Sequence, residues 1–328
     1  MADRNPAQVL REMAAGHILP RCLHTVAELG VADALDDAPR SVGQLAAAVG
    51  ADVDALHRVL RLLAAQGLFE LRGDEVMHTP MSRLLRTDHP RSMRPLVRMM
   101  GLAVHWSSYG RFDHALRTGQ PAIEQVAEGG LWAHLARHPD EGVIFDAAMQ
   151  ARSQVQVPAV VGAYDFTRFT VIGDIGGGRG HLLRAVLDGA AQATGVLFDL
   201  PQVLRDVQQS ERLSLHPGDF FKDPVPACDA YLLMEVIHDW GDNESLAIFR
   251  AIRRAAPPAA RLLIVEWLLT DDPGPHWTKT IDIHMLAVVG GRQRTLDEYR
   301  HLLEPAGFSL QREIPTASGI SIIEAVAA

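Results

Sequence analysis

Residues 171–187 read V-I-G-D-I-G-G-G-R-G-H-L-L-R-A-V-L, with an apolar run, a glycine cluster and an amphipathic run in direct succession. The first run predicts a buried strand and the last a helix, so the glycines occupy the turn between them. In a doubly wound sheet, the turns that follow the strands lie at the carboxyl edge, where ligands bind. The stretch therefore predicts an α/β domain with a ligand site over Gly176, Gly178 and Gly180, directly after Asp174.

The glycines are spaced G-x-G-x-G, which departs from the G-x-G-x-x-G of dinucleotide-binding turns. The alternative to a ligand site is a purely structural turn that uses glycines for their positive φ. About 20 residues downstream, the second β-like run ends in Asp199, a position from which a carboxylate accepts hydrogen bonds from ribose hydroxyls. Asp219 and Phe220 follow a third such run and suit the amino group and the ring of adenine. Together these residues predict a nucleoside ligand, and S-adenosylmethionine fits that description.

The composition predicts a soluble chain of two domains, since 48% of the 328 residues are hydrophobic and 22% are charged. No apolar run reaches membrane-spanning length and the first residues lack the features of a signal peptide, so a cytoplasmic location is expected. The formal charge of −9 disfavours nucleic-acid and anionic-membrane partners. Two distant cysteines and the lack of an H-E-x-x-H motif indicate neither a disulfide framework nor a metal cofactor.

The sequence changes character twice along the chain. Residues 1–100 are helical in pattern, residues 101–165 form a helical connector, and residues 166–328 alternate β-like and helical runs. Ser41 and Gln44 have capping-box spacing, a second helix runs from Asp54 to Gln66, and a hairpin follows. Helix, turn, helix and hairpin in this order predict a winged helix.

The N-terminal domain is predicted to be a dimerisation module. Arg58 and Arg61 on its second helix could contact DNA phosphates, but two basic residues are more typical of a solvated helix face. The segment from Val9 to Leu35 is apolar enough to pack against a partner subunit. A homodimer is therefore the expected assembly, and DNA binding is the alternative.

Five short motifs occur in order: D-I-G-G-G-R-G at 174–180, F-D-L-P at 198–201, G-D-F-F at 218–221, H-D-W-G-D at 238–242 and I-V-E at 264–266. The set resembles the S-adenosylmethionine-dependent small-molecule O-methyltransferases, typified by plant caffeic acid O-methyltransferase and bacterial antibiotic-tailoring enzymes. The resemblance spans nearly the whole chain. It implies a class I methyltransferase domain, which is α/β and Rossmann-like with a mostly parallel seven-stranded sheet, preceded by an all-helical or winged-helix dimerisation domain.

The resemblance also implies roles for individual residues. The cofactor's methionine portion would lie over the glycines, with its carboxylate at Ser153. Its ribose would lie at Asp199 and its adenine at Asp219 and Phe220. Asp174 is also expected to be a cofactor-binding residue. The residues expected to line the acceptor are Met149 and Met285, which match family methionines, with Asp239, Trp106 and Phe145 as further candidates. For Asp239, capping of a helix that starts near Asn243 is an alternative.

By the same resemblance, His238 would be the general base and Glu266 an acid that flanks it. A phenol has a pKa of about 10, so little phenolate exists at neutral pH until a base accepts the proton. The expected reaction is methylation of a hydroxyl of an aromatic or polycyclic small molecule in secondary metabolism.

Two positions depart from the family pattern. Gln293 stands where a second acid is common, and a glutamine can orient His238 but cannot neutralise an imidazolium. Met234 stands where a lysine is common, which removes a polar contact near the cofactor. These departures keep two alternatives open: a relative with altered chemistry, such as a decarboxylase or hydroxylase, and a cofactor-sensing transcription regulator.

Overall fold

The computed structural model describes residues 5–328, which divide into two compact units. The first contains the described residues up to Trp106 together with Leu135–Arg152, and the second contains Ser107–His134 and Ser153–Ala328. The connector predicted for residues 101–165 is thus shared between the two units. Among the described residues, every helix is too short or too polar to cross a membrane.

Helices dominate the first part of the chain. The elements are α1 (Pro6–Ala14), α2 (Ile18–Glu28), β1 (Arg40–Ser41), α3 (Val42–Val49), α4 (Val53–Ala64), β2 (Phe69–Arg72), β3 (Glu75–His78), α5 (Pro80–Arg83), α6 (Arg94–Met100), α7 (Ala103–Tyr109), α8 (Phe112–Thr118), α9 (Gly130–Arg137) and α10 (Pro139–Ala163). The predicted capping box is confirmed: the Ser41 side chain accepts from the Gln44 N–H, and the Gln44 side chain accepts from the Ser41 N–H. The predicted hairpin is also present, as the antiparallel pair β2 and β3.

Strands and helices alternate in the remainder of the chain. The elements are β4 (Val171–Ile175), α11 (His181–Gly189), β5 (Thr194–Asp199), α12 (Pro201–Leu204), β6 (Leu213–Pro217), β7 (Ala230–Met234), α13 (Asp242–Ala255), β8 (Arg261–Glu266), α14 (Trp277–Val288), α15 (Leu296–Leu303), β9 (Phe308–Pro315) and β10 (Ser321–Ala327). They form a seven-stranded sheet of order β6-β5-β4-β7-β8-β10-β9. Strands β4 to β8 run parallel, and β10 is antiparallel to both β8 and β9.

The central strands are mostly apolar because helices cover both faces of the sheet. Ile172 and Ile175 of β4 are fully buried, as are residues 231–233 of β7 and 262–265 of β8. One face packs under α13 and α15, and the other packs under α11 and the end of α10. This packing aligns the carboxyl ends of β4, β5, β7 and β8 at one edge, where a parallel sheet binds its ligands.

A buried carboxylate joins the antiparallel strands to the end of α10. Glu324 of β10 accepts hydrogen bonds from the Tyr164 hydroxyl at 2.8 Å, from Arg168 at 2.8 Å and from Arg312 at 2.7 Å. Glu324 is only 3% exposed, so these donors replace the water that would otherwise solvate its charge.

We expect Tyr164→Phe to lower the free energy of unfolding by about 1–3 kcal/mol, because it removes one donor to a buried charged acceptor. Arg117→Gln is the matched control, since Arg117 faces Asp113 across an exposed pair at 3.7 Å, and its effect should stay within about 0.5 kcal/mol. Urea unfolding at pH 7 measures both. Equal effects of the two substitutions would contradict a structural role for the Glu324 cluster.

Candidate active site

The glycine turn between β4 and α11 has a backbone that side chains rarely permit. Gly176, Gly178 and Gly180 have φ of 69°, 59° and 76°, in the left-handed region. A Cβ at Gly176 would lie 3.1 Å from Val236, and one at Gly180 would lie 3.0 Å from Leu197. The turn therefore presents bare backbone at the edge of the sheet.

Asp199, at the end of β5, is fastened to this turn. Its Oδ2 accepts from the Gly178 N–H at 2.8 Å, and its Oδ1 accepts from the Leu200 N–H at 2.7 Å. Burial raises the pKa of Asp199 above its usual value, although both N–H donors favour the ionised form. The structure thus brings Gly178 and Asp199 together, while their contacts with a ribose stay predictions.

Asp174 lies beneath the same turn and is almost completely buried. Among residues 5–328, neither of its carboxyl oxygens has a hydrogen-bond partner of normal geometry. Burial, followed by the charge of Asp199, raises the pKa of Asp174 to about 7, and the Leu183 N–H opposes this rise. A Cβ at Gly177 would lie 2.4 Å from the Asp174 Cγ, so the turn closes directly over the acid.

Asp219 and Phe220 follow β6, as the motif predicts. The Asp219 carboxylate accepts from the Phe221 N–H at 2.9 Å and pairs with the Lys222 ammonium at 2.8 Å, which lowers its pKa. The Phe220 ring packs edge-on against Phe221 and Trp240, with centroids 4.7 and 5.9 Å away. Phe220 also lies 3.6 Å from a Cβ built on Gly176, so this aromatic side chain borders the glycine turn.

His238 is buried in a 3-10 helix (Ile237–Asp239) that follows β7, and Glu266 from the end of β8 holds it. A carboxylate only accepts, so the His238 Nδ1–H donates to Glu266 Oε2 at 2.7 Å, and the His238 backbone N–H donates to Oε1 at 3.2 Å. His238 Nε2 lies 3.4 Å from Asp239 Oδ1. The neutral ring therefore carries its proton on Nδ1, and Nε2 is the nitrogen at which the ring gains or loses a proton.

The electrostatic surroundings of His238 favour its protonated form. Burial alone would lower the pKa of the imidazole, but the charges of Glu266 and Asp239, the hydrogen bond to Glu266 and the more distant Glu235 raise it to about 9. That value lies about one unit below the pKa of a phenol, which is near 10. A proton can therefore pass from a phenol to this imidazole with little change in free energy.

A fully buried arginine, which the sequence reading did not identify, fixes the backbone on both sides of His238. Arg294 donates to the Ile237 carbonyl at 3.1 Å, to the Trp240 carbonyl at 2.9 Å and to Asp242 Oδ1 at 2.8 Å. Buried guanidinium groups are rare unless they are paired in this way. The only sequence signal is its place in the G-G-x-x-R-T stretch at 290–295.

The backbone of Gly291, in the same stretch, lies so close to the His238 segment that no residue with a side chain would fit there. A Cβ at Gly291 would lie 1.9 Å from the His238 carbonyl oxygen and 2.5 Å from the Asp239 carbonyl carbon. The neighbouring Arg292 N–H donates to the His238 carbonyl at 2.8 Å. Gly291 is therefore a glycine because of contact with the His238 backbone, which a local sequence pattern does not reveal.

Gln293 and Met285 lie in the second unit, which also contains His238. The Gln293 backbone N–H donates to Asp282 Oδ1 of α14 at 2.8 Å, and both Gln293 and Met285 are buried. One residue before Met285, His284 Nδ1 lies 2.8 Å from the Tyr109 hydroxyl. The predicted roles of Gln293 toward His238 and of Met285 toward an acceptor stay predictions.

Glu235 is a second feature that the sequence reading missed. It follows Met234 at the end of β7 and has φ of 53°, a left-handed conformation that costs about 1–3 kcal/mol in residues other than glycine and clusters at functional sites. The Gln156 amide donates to Glu235 Oε2 at 2.9 Å and accepts from Trp267 Nε1 at 3.2 Å. This network links α10, β7 and the residue after β8.

The alternative role predicted for Asp239 as a helix cap is wrong. Helix α13 begins at Asp242, its N-cap is Gly241, and no side chain caps it. Asp239 instead lies beside His238 and, with Trp240, Val288 and Val289, lines a cavity of about 150 Å³.

The remaining predicted residues belong to the two units separately. Ser153 of α10 lies in the second unit, whereas Trp106, Phe145 and Met149 lie in the first. Their contacts with cofactor or acceptor stay predictions. Among residues 5–328, no group of three His, Cys, Asp or Glu side chains is placed to hold a metal ion.

Comparison with known proteins identifies two family domains. Residues 109–309 match an O-methyltransferase domain, and residues 11–88 match an O-methyltransferase dimerisation domain. The first match includes the glycine turn, Asp199, His238 and Glu266.

Individual relatives extend over almost the whole chain. The chain is 38% identical over 327 residues to a phenazine O-methyltransferase from Lysobacter antibioticus, covering 97% of this chain and 96% of that protein. It is 36% identical over 336 residues to 8-amino-8-demethylriboflavin N,N-dimethyltransferase from Streptomyces davaonensis, covering 98% and 96%. The crystal structure of human N-acetylserotonin methyltransferase in complex with S-adenosylmethionine is similar with a TM-score of 0.87 and 28% identity, covering 100% of this chain and 99% of that one.

We expect Gly291→Ala to lower kcat for methyl transfer by about 10²-fold, because the new methyl group displaces the His238 backbone from its place. Gly162→Ala is the matched control, since a Cβ there meets no atom within 4 Å. In helix α10 the alanine should stabilise the fold by about 0.5–1 kcal/mol and leave kcat unchanged. Steady-state kinetics measure kcat for both variants. A wild-type kcat for Gly291→Ala would contradict the conclusion that close packing of Gly291 on the His238 backbone is needed for activity.

Proposed function

This chain belongs to the O-methyltransferase family, and on that premise we propose that it methylates a hydroxyl of an aromatic or polycyclic small molecule in secondary metabolism, with His238 as general base. The enzyme is an S-adenosylmethionine-dependent O-methyltransferase with a class I methyltransferase fold. The observation that carries the proposed mechanism is the buried pair of His238 and Glu266. A relative named for a phenazine supports an aromatic acceptor.

The residues at the glycine turn fit the cofactor. Bare backbone at Gly176 to Gly180 admits a ligand closely, and Asp199 is oriented at the end of the second strand of the nucleotide-binding half. Asp174 is a buried acid whose oxygens lack partners, a suitable neighbour for a cationic amino-acid group. We propose that these residues hold the cofactor, together with the residues that the sequence motifs assign to it, namely Ser153, Asp219, Phe220 and Met234.

S-adenosylmethionine supplies a methyl group on a positively charged sulfur, which is already an activated leaving group. The protein's task is therefore to align the acceptor and to remove its proton. His238 Nε2 accepts the proton of the acceptor hydroxyl as the oxygen becomes a nucleophile. Glu266 holds Nδ1–H at 2.7 Å throughout, and its charge stabilises the imidazolium that forms.

An amine acceptor is the second candidate. The relative from Streptomyces davaonensis is named as an N,N-dimethyltransferase, so the same scaffold accommodates a nitrogen nucleophile. A neutral aromatic amine attacks before it loses a proton, and its reaction would depend less on His238. The dependence on His238 therefore separates the two candidates.

We also propose that the enzyme is a homodimer that forms through its N-terminal domain. The match of residues 11–88 to a dimerisation domain supports this assembly. Leu10, Met13 and Ile18 of α1 and α2 are exposed apolar residues that suit a subunit interface. For location we propose the cytoplasm, because Cys22 and Cys228 are both free thiols, which fits a reducing compartment.

Replacement of the base tests the proposal directly. With methyl-labelled S-adenosylmethionine and a panel of phenols, hydroxyquinones and aromatic amines, we expect labelled ethers whose kcat/KM falls by about 10²–10⁴-fold in His238→Gln. His301→Gln on the exposed face of α15 is the control and should keep wild-type rates. Ether formation that survives in His238→Gln would remove this residue as the base, and labelled amines alone would favour the second candidate.

The pH dependence of the rate tests the role of Glu266. A base works only when deprotonated, so kcat/KM should rise with pH through the imidazole pKa of about 9. In Glu266→Gln the charge is lost and burial dominates, so the rise should shift to near or below the ordinary value of 6.5, and the maximal rate should fall. Two acceptors with different hydroxyl pKa values serve as controls, since a rise that follows the acceptor does not belong to His238. An unchanged profile in Glu266→Gln would contradict the proposed pair.

A further inference from the structure

Asp174 and Asp199 are two neighbouring buried acids whose carboxyl groups differ in their hydrogen-bond donors. Asp199 has two backbone N–H donors, at 2.8 and 2.7 Å, which favour its charged form. Asp174 is 1% exposed, and neither oxygen has a partner of normal geometry among residues 5–328. Since an ionised carboxylate is very costly to bury without donors, the protonated form belongs to Asp174.

The side chains beside Asp174 in the sheet supply no hydrogen-bond donor. Its strand partners are Leu197 on β5 and Leu232 on β7, and both are apolar and buried. Asp199 is the charge that acts on it from β5, and the Leu183 N–H acts from α11. The remaining titratable groups of the turn and of the start of α11 are Arg179, His181 and Arg184.

Asp174 lies directly beneath the glycine turn, on which we propose that the cofactor binds. Gly177 is so close that a Cβ there would overlap the Asp174 carboxyl group, at 2.4 Å from Cγ. A side chain at this position would clash with the carboxyl group, so glycine is what allows the turn to pack directly on the acid. The missing side chain thus lets a positive charge on the ligand approach the carboxyl group across bare backbone.

We propose that Asp174 is protonated in the cofactor-free protein and releases its proton when the amino-acid end of the cofactor occupies the glycine turn. The α-ammonium of that end brings a positive charge to the acid, which favours the carboxylate. The proton on the Asp174 carboxyl passes to solvent, and the ammonium keeps all of its own protons. Cofactor binding and proton release are then linked, so the affinity rises with pH until Asp174 is already ionised in the free protein.

This inference rests on the cofactor but not on the acceptor or on His238, because the experiment measures binding alone. The ligand is S-adenosylhomocysteine, which has the same amino-acid end but no charge on sulfur, so the high pKa of His238 is little disturbed. Calorimetric titrations at pH 6 in two buffers with different ionisation enthalpies report the number of protons released per ligand bound.

With a pKa of about 7, Asp174 is about 90% protonated at pH 6, so we expect release of about 0.9 proton per site. The dissociation constant should fall by up to about tenfold as the pH rises from 5 to 6, and it should level off above 7. In Asp174→Asn the release should disappear. 5′-Methylthioadenosine, which lacks the amino-acid end, should bind to the wild type without releasing a proton.

Binding of S-adenosylhomocysteine without proton release by the wild type would overturn the proposal. Equal release in Asp174→Asn would overturn it too, because another group would be the source. Equal release with 5′-methylthioadenosine would show that the adenosine end is responsible and would overturn the assignment to the ammonium.

The stability of the ligand-free protein provides a second measurement on the same variant. An acid whose pKa is raised on folding holds its proton in the folded state, so its stabilising effect is present at low pH and is lost as pH rises through the folded pKa. The melting temperature of the wild type should therefore fall relative to Asp174→Asn between pH 5 and 7 and should level off above that range. A difference that stays constant across this range would contradict a titrating Asp174.

Discussion

The proposed active site depends on the interaction between Glu266 and His238. Glu266 is fully buried at the end of β8, and a buried carboxylate is tolerated only when hydrogen bonds replace its hydration. His238 supplies two of them, one from its ring and one from its backbone. These two hydrogen bonds stabilise the buried Glu266 carboxylate, and they also fix the position and the tautomer of His238 and raise its pKa. The stability of the fold and the proposed chemistry therefore depend on the same pair of residues.

The rest of the site can be understood as support for that pair. The chain leaves β7 through Glu235 in a strained left-handed conformation and returns as a short 3-10 helix that carries His238. Arg294 holds carbonyls on both sides of this helix, and Gly291 packs against its backbone without room for a side chain. The role that we propose for His238 as general base requires such rigid placement, because misplacement by about 1 Å can cost 10²-fold in rate.

Three parallel strands bring acids to the same edge of the sheet, and each acid is stabilised differently. Asp199 is tied to backbone N–H groups, Glu266 to an imidazole, and Asp174 to its own proton. These are three of the ways in which a protein accommodates a carboxylate away from water. The carboxylate of Asp199 and, once its proton has left, that of Asp174 give this edge a negative charge that suits a ligand with a cationic amino-acid end.

The sequence was informative where local pattern determines structure. Continuous apolar runs predicted the parallel strands, the glycine cluster predicted the turn after β4, and Ser41 with Gln44 predicted a capped helix; all are present. Features that depend on contacts between distant segments were not predictable. Gly291 is explained by the His238 backbone more than 50 residues earlier, and Asp239 was an equally good helix cap by sequence, although α13 begins after Gly241.

The most direct test of the account is the pKa of His238 in the cofactor-free protein, measured by NMR titration of the imidazole nitrogens and assigned through the signal lost in His238→Gln. The account predicts a pKa of about 9, with Nδ1 protonated over the whole range because it donates to Glu266. A pKa at or below the ordinary 6.5 would contradict it, since burial rather than the Glu266 charge would then control the base.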